Sequence, residues 1–258
     1  MRSALASLLL TATLPACAQG VEKNFYLDLH WFVPTFEGHF DDTSGGNPIT
    51  IDTRNDLALT RDKTRLGFGA EYQGTRFALE LSRDEQTYKG SNRVTRDIVV
   101  NGQTFAAGTV VTSSLKATNN TLNWTIRCLA REHFWAGLDL GVRVTQVEID
   151  ATGINPPTGE EATANYKTPL PIPQIGPSLG FQAAGNRVIG RAYFHFLTYK
   201  GATYTHPAAD LRFFPISWLG LQVFAEAEHF KIPQDSIKSD LDVGLDRAGM
   251  GIGVVAKF

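Results

Sequence analysis

Read backwards from its end, the chain sorts its last ten residues by parity. Phe258, Ala256, Val254, Ile252 and Met250 form one set; Lys257, Val255, Gly253, Gly251 and Gly249 form the other. The first set is apolar throughout, and the second is small or polar apart from one valine. Strict alternation belongs to a β-strand whose two faces meet different surroundings. The strand ends on an aromatic residue that is also the last of the chain. Such a segment needs a neighbour along each edge and an apolar medium against one face.

The same period recurs upstream. Phe25, Leu27, Leu29, Trp31 and Val33 alternate with Tyr26, Asp28, His30 and Phe32. A second strand, 64–72, sets Leu66, Phe68, Ala70 and Tyr72 against Arg65, Gly67, Gly69 and Glu71. Gln73-Gly74-Thr75 turns into a third with Phe77, Leu79 and Leu81 on one face. A fourth carries Leu122, Trp124 and Ile126, and a fifth runs from Phe134 towards Asp150. In the fifth, Val147 and Ile149 fall on the face opposite to Leu138, Leu140 and Val142, which implies a bulge or an exit from the apolar medium. Prolines 169, 171, 173 and 177 each remove a ladder donor, so the sixth strand is placed from about Gln174. The seventh spans 188–199, the eighth ends at Leu211 and Phe213, the ninth starts at Leu219, and the polar link 233–240 leads to the closing strand.

Between strands, long and short connections alternate. The long ones are 37–62, 89–112 and 151–168; Lys200-Gly201 is a short exception among them. Within the first, 49–52 and 57–59 read as strand extensions. Within the second, Asn101-Gly102 between β-prone runs predicts a hairpin. Aromatic residues gather beside the short connections and the termini: Phe25, Tyr72, Phe77, Phe134 with Trp135, Phe181, Phe213, Trp218 and Phe258. A soluble sandwich gives no reason for aromatics to prefer alternate turns.

Composition sets the outer bounds. The chain has 258 residues and a net charge of −2 without basic runs, which argues against a nucleic-acid partner. Mean hydropathy is −0.13, and beyond the leader no apolar run is long enough for a membrane helix. A barrel strand needs only about 9–11 residues and shows lipid one face, so average hydropathy misses it. Residues 1–18 read as a secretory signal: Arg2, an apolar core over Ala4–Leu14, and Ala16-Cys17-Ala18 before the cut. The alternative takes Leu14-Pro15-Ala16-Cys17 as a lipoprotein signal with Cys17 lipidated, a pattern that Pro15 fits poorly. Cleavage after Ala18 leaves Cys128 as the single cysteine, a small apolar residue at a strand end.

The terminal aromatic strand, the alternating connections and the aromatic girdle together resemble the bacterial outer-membrane β-barrels, small porin-like or surface barrels among them. The resemblance covers residues 19–258. It implies an all-β, antiparallel, up-and-down transmembrane barrel of about ten strands, within a range of eight to twelve. It also implies residence in the outer membrane of Gram-negative bacteria with both termini periplasmic. The expected partners are outer-membrane lipid, lipopolysaccharide and the barrel-assembly machinery that engages the C-terminal strand. No cofactor and no metal are implied.

In a barrel, the polar faces turn inward. That set is Asp28, His30, Arg65, Glu71, Glu80, Arg127, Asp139, Arg143, Arg191, His195, Asp210, Arg212, Glu226 and Glu228. Acids and bases nearly balance, and a ten-stranded lumen is narrow enough for side chains to fill. Buried charges must pair, so the set reads as a salt-bridged interior with a structural or passive role. The alternatives are a narrow channel for small solutes and a hydrolase acting at the rim. For the hydrolase the candidates are Asp84 with Glu85 and Glu228 with His229, but neighbours along a strand point to opposite faces. Ser82 is the one inward serine near them, and no nucleophile motif accompanies it. His30, His195 and His206 lack metal-ligand spacing.

Overall fold

The computed structural model describes residues 23–42, 49–61, 65–156, 158–232 and 241–258. The leader, with Cys17, and the link 233–240 fall outside the described residues. Fourteen strands follow in chain order: β1 (Asn24–Asp42), β2 (Ile49–Asp52), β3 (Thr60–Arg61), β4 (Arg65–Gln73), β5 (Phe77–Arg93), β6 (Ile98–Val100), β7 (Gln103–Phe105), β8 (Val110–Ala130), β9 (Phe134–Ile154), β10 (Glu161–Ala183), β11 (Val188–Tyr199), β12 (Ala202–Ile216), β13 (Leu219–Ile232) and β14 (Leu241–Lys257). Ten of them, all but β2, β3, β6 and β7, pair antiparallel with their sequence neighbours, and β14 pairs back on β1. The result is a closed ten-stranded barrel. At the closure, Phe25 N–H donates to Phe258 O at 3.0 Å and Phe258 N–H to Phe25 O at 2.8 Å.

The termini and the turns after β4, β8, β10 and β12 lie at one end, called the tight-turn end. The connections after β1, β5, β9 and β11 lie at the other. The eight girdle aromatics named from the sequence are all exposed on the outer wall. They ring the tight-turn end, and Phe25–Phe258 and Tyr72–Phe77 are in ring contact. Trp135 departs from that ring: it is buried, with the Arg127 guanidinium 5.0 Å from its ring centre.

Strand β9 shows how the wall is built. Its even residues face outward and its odd residues inward, and its registers with β8 and β10 run through Gln146 without a shift. The expected bulge is therefore absent, and the exit from the apolar medium remains. From Phe134 to Val144 the outward set is Phe, Ala, Leu, Leu, Val and Val; from Gln146 it is Gln, Glu, Asp and Thr. Inward, Asp139, Arg143 and Thr145 give way to Val147, Ile149 and Ala151. The pleat keeps its phase while the polarity of its two faces exchanges. The eleven residues from 134 to 144 match the roughly 9–11 that a tilted strand needs to cross a bilayer. Neighbours agree on the boundary, since Asn120 pairs with Val144 and Gln146 with Pro169.

Beyond this apolar band the far ends of β5, β8, β9 and β10 project, and their inner faces build a second core. Leu115, Val147, Ile149, Ala162 and Ile172 pack with Ile51, Leu57, Leu59, Ile98 and Phe105 from the long connections. The connection 94–109 folds as the expected hairpin, with Asn101 (φ 48°) and Gly102 (φ 75°) in the turn between β6 and β7. Positive φ at both central residues is what the Asn-Gly pair supplies. Asn155 anchors the segment: its Oδ1 accepts from Ala106 N–H and Thr109 Oγ1, each at 2.9 Å. In the first connection, 49–52 does extend the sheet, but 57–59 is a bend whose two leucines are buried.

The sixth barrel strand starts at Glu161, well before the expected Gln174, and the connection preceding it shrinks to 155–160. The prolines fit because of which edge they occupy. Gln182 N–H bonds His133 O on the β9 side, so even residues of β10 serve β9 and odd residues face β11. Pro169, Pro171, Pro173 and Pro177 are all odd. Pairing with β11 is limited to Ile175 and to Ser178–Ala183. The missing donors thus fall on the β11 side of β10 and leave its ladder with β9 intact.

If the projecting region is a core turned outside in, Val147→Asp puts an unpaired charge among buried apolar groups, while Gln146→Asp leaves it in water. The first variant should become protease-sensitive at 155–160 and the second should not. Both should keep the boiling-dependent electrophoretic shift of a folded barrel. Equal protease resistance in the two would contradict the assignment.

Candidate functional site

Three tiers of side chains occupy the barrel interior. Nearest the tight turns, Tyr26, Phe214, Ile189 and Val255 cluster beside buried Trp135. Arginine side chains cover this floor: Arg127 donates to Gly74 O at 2.5 Å, and the Arg212 guanidinium lies 5.2 Å from the Tyr26 ring centre. Above it is the charged tier, and above that the apolar core of the projecting strands.

The charged tier gathers the polar residues named from the sequence. Arg191 of β11 reaches Glu80 of β5 at 2.7 Å, and Arg143 of β9 reaches Glu228 of β13 at 2.6 Å. Arg212 of β12 meets Glu71 of β4 at 2.8 Å and Asp210 at 3.1 Å. None of these cross-barrel partners lies on adjoining strands, so the contacts can pass only through the interior. Asp139 is fully buried and is held by Ser178 Oγ at 2.6 Å, His195 Nε2 at 3.2 Å and Asn123 Nδ2 at 3.3 Å. His30 bonds Asp28 at 2.6 Å, and His206 faces Glu226 at 3.4 Å. His195 and His206 are register partners on β11 and β12, with ring centres 5.9 Å apart. Arg65 begins β4, but its side chain lies outside the described residues.

Sequence reasoning missed the hub of this tier. Arg247 bridges Glu226 at 2.9 Å and Glu228 at 2.7 Å. Its signal was available: Arg247 is in phase with Gly249, Gly251 and Gly253 on the inward face of the terminal strand. Asn119, Tyr193 and Tyr204 were also missed. Asn119 donates to Asp84 at 2.7 Å, so Asp84 belongs to the interior, while Glu85 faces out and pairs with Lys116 at 2.8 Å. Glu228 and His229 divide in the same way. Glu228 points in, and exposed His229 bonds Asp246 on the outer wall at 2.5 Å. Neither candidate pair converges on one point.

A polar cavity of about 90 Å³ lies within the tier, lined among others by Glu80, Asn123, Gln174, Arg191, His195 and Gln222. Asn123 Oδ1, Gln174 Oε1 and Gln222 Oε1 have no hydrogen-bond partner from the protein among the described residues. At roughly 10–15 Å³ per water, the space suits several waters that would complete these bonds. Among the described residues, no group of three or more His, Cys, Asp or Glu is placed to hold a metal ion.

The arrangement predicts how the pairs respond to substitution. Arg191→Met strands Glu80 in the interior and should destabilise the barrel by about 3–5 kcal/mol, whereas Glu80→Met with Arg191→Met should recover most of that loss. Urea unfolding in micelles measures both. A double variant as unstable as the single would show that the pair does not act as a unit.

No protein-family model and no curated protein sequence matches the chain. Solved structures do match. The outer-membrane protease OmpT of Escherichia coli superposes with a TM-score of 0.61 at 9% identity, over 93% of this chain and 100% of that one. The translocator domain of the autotransporter NalP of Neisseria meningitidis gives 0.44 at 6% identity, over 91% and 89%. The attachment invasion locus protein Ail of Yersinia pestis gives 0.31 at 12% identity, over 92% and 100%. With the closed ten-strand barrel, its apolar band and its aromatic ring, the chain has the fold of the bacterial outer-membrane β-barrels.

Proposed function

We propose that the protein is an integral outer-membrane barrel whose interior is closed to solutes and whose role is structural or passive. The observation that carries this reading is the occupied interior. An aromatic floor, a tier of cross-barrel ion pairs and an apolar core follow one another along the barrel axis. Charges buried in a filled lumen must be held in pairs, as these are; a conducting lumen would expose a surplus of one sign to water. The tight turns at the terminal end support an orientation with both termini periplasmic and the projecting strands outside. In that orientation the apolar band meets outer-membrane lipid and lipopolysaccharide. The terminal strand ending at Phe258 is the segment that the assembly machinery would engage.

The polar cavity favours one alternative, limited passage of small solutes through the charged tier. A hydrolase reading finds less support, because Asp84 and Glu85, like Glu228 and His229, are divided by the barrel wall.

Reconstitution in a planar bilayer separates the two leading readings. The closed barrel should give no stepwise conductance above the bare membrane. Discrete steps from the wild-type protein would assign it to solute passage instead.

A further inference from the structure

The seam between β10 and β11 differs from the rest of the wall. Going upward, its last pair is Ile175 with Phe196, and Gly176 and Pro177 are also out of register pairing with β11. Four prolines along this edge withhold the donors that would continue the ladder. Above Ile175, Asn101 Nδ2 donates to Asn165 O on this edge at 2.7 Å. The β11–β12 hairpin turns at Lys200 and Gly201, while β10 continues to Glu161.

Directly inside the unpaired part of the seam lies a second cavity, about 50 Å³ in volume. Leu170 and Ile172 of β10 line it on one side, Leu115 and Val147 behind, and Phe230 of β13 and Leu245 of β14 on the other; Glu228 and Arg247 also border it, but most of the lining surface is apolar. The two strands that separate β10 from β13 in the wall, β11 and β12, supply no lining residue. On that side the hairpin tip packs Leu197 and Ala202 against the apolar core. The outward neighbours of Leu170 and Ile172 are Pro169, Pro171 and Pro173, at the upper border of the apolar band. An apolar cavity stays dry and accepts apolar guests. Here it sits one strand's thickness from lipid, behind the least hydrogen-bonded part of the wall.

We propose that the gap between Pro169–Pro173 of β10 and Leu197–Tyr199 of β11 is a side entrance through which a hydrocarbon chain inserts its end into this cavity. A barrel closed along its axis can still admit a guest through its wall, so the inference goes beyond the closed-barrel reading. At its present volume, well below the roughly 150 Å³ that holds a benzene ring, the cavity takes only the tip of a chain, and a parted hairpin would admit more. Opening here exposes Leu170, Ile172 and Phe230 to lipid, while Glu228 and Arg247, which also line the cavity, stay ion-paired with each other. The guest is recognised by its methylene chain alone, and two sources supply one: a membrane phospholipid or a free fatty acid.

Photolabelling tests the proposal on the full-length barrel in phosphatidylcholine vesicles. One arm carries a phospholipid with a diazirine at the end of an acyl chain, the other a free fatty acid bearing the same group. Mass spectrometry then locates the adducts. Adducts on Leu115, Val147, Leu170 or Phe230 from either probe are expected, and the arm that gives them identifies the source. Val147→Trp fills the cavity and should abolish these adducts while leaving labelling of the outer wall unchanged. Pro173→Cys with Thr198→Cys, in a Cys128→Ser background, locks the seam when oxidised; interior adducts should vanish and return on reduction. Wild-type adducts confined to outward residues would overturn the proposal. So would interior adducts that persist in the oxidised lock, because the chain would then be entering by another route.

Discussion

In hydrocarbon an amide without a partner costs several kcal/mol, and every other feature of this molecule follows from how that constraint is met. The ten long strands solve it by closure: β14 returns to β1, and Phe25 and Phe258 exchange backbone hydrogen bonds at the join. The constraint also decides where its exceptions can stand. A proline needs no partner for its nitrogen, so prolines cluster where the wall is deliberately incomplete, on the β11-facing edge of β10. The same edge shows where the constraint relaxes. Above the apolar band, water or a side chain such as Asn101 satisfies the backbone.

The second organising fact is that a single strand serves two solvents. In β9 the inward face holds charges at the level of the apolar band and valine, isoleucine and alanine beyond it. The outward face does the reverse. Lipid requires apolar residues outside, and water requires them inside; no change of pleat is needed because only the medium changes. This also gives the long connections their positions. Leucines and aromatics at 51–59 and 98–105 have nowhere to bury except the inner face of the projecting sheet. They therefore fold over the barrel mouth and complete its core.

The fold was legible in the sequence because alternation reports a half-lipid wall directly, strand after strand. It misled only where a second rule competed with it. The proline run argued against a strand, since the sequence alone does not reveal which edge of β10 is unpaired. The change of face at Val147 looked like a bulge because the reading assumed one medium along the whole strand. The interior was legible to the extent that charge and phase agree, as at Arg143, Glu228 and Asp139. Arg247 escaped because the alternation was followed only as far back as Gly249. Tyr26 was in phase with the inward Asp28 and His30, but Trp135 escaped because an aromatic beside a turn fits a girdle equally well. Partner choice across the lumen was not legible at all, since it depends on how many strands separate two residues round the wall.

That dependence gives the charged tier a role beyond filling space. Arg191 and Glu80 sit four strands apart round the wall, as do Arg143 and Glu228, and Arg212 and Glu71. In a barrel with fewer or more strands, or with a shifted register, these side chains would face different partners, and burial would leave charges unpaired. Replacing a buried pair by apolar groups is often neutral for stability, so net stabilisation is a weak reason to keep three of them. Discrimination is a stronger one. The apolar outer face of this chain would be equally content in many closed sheets, because lipid accepts any of them. The interior accepts one, in which Arg143, Arg191 and Arg212 each meet a carboxylate four strands away. Lipid therefore drives the strands to close, and the ion pairs select the closure.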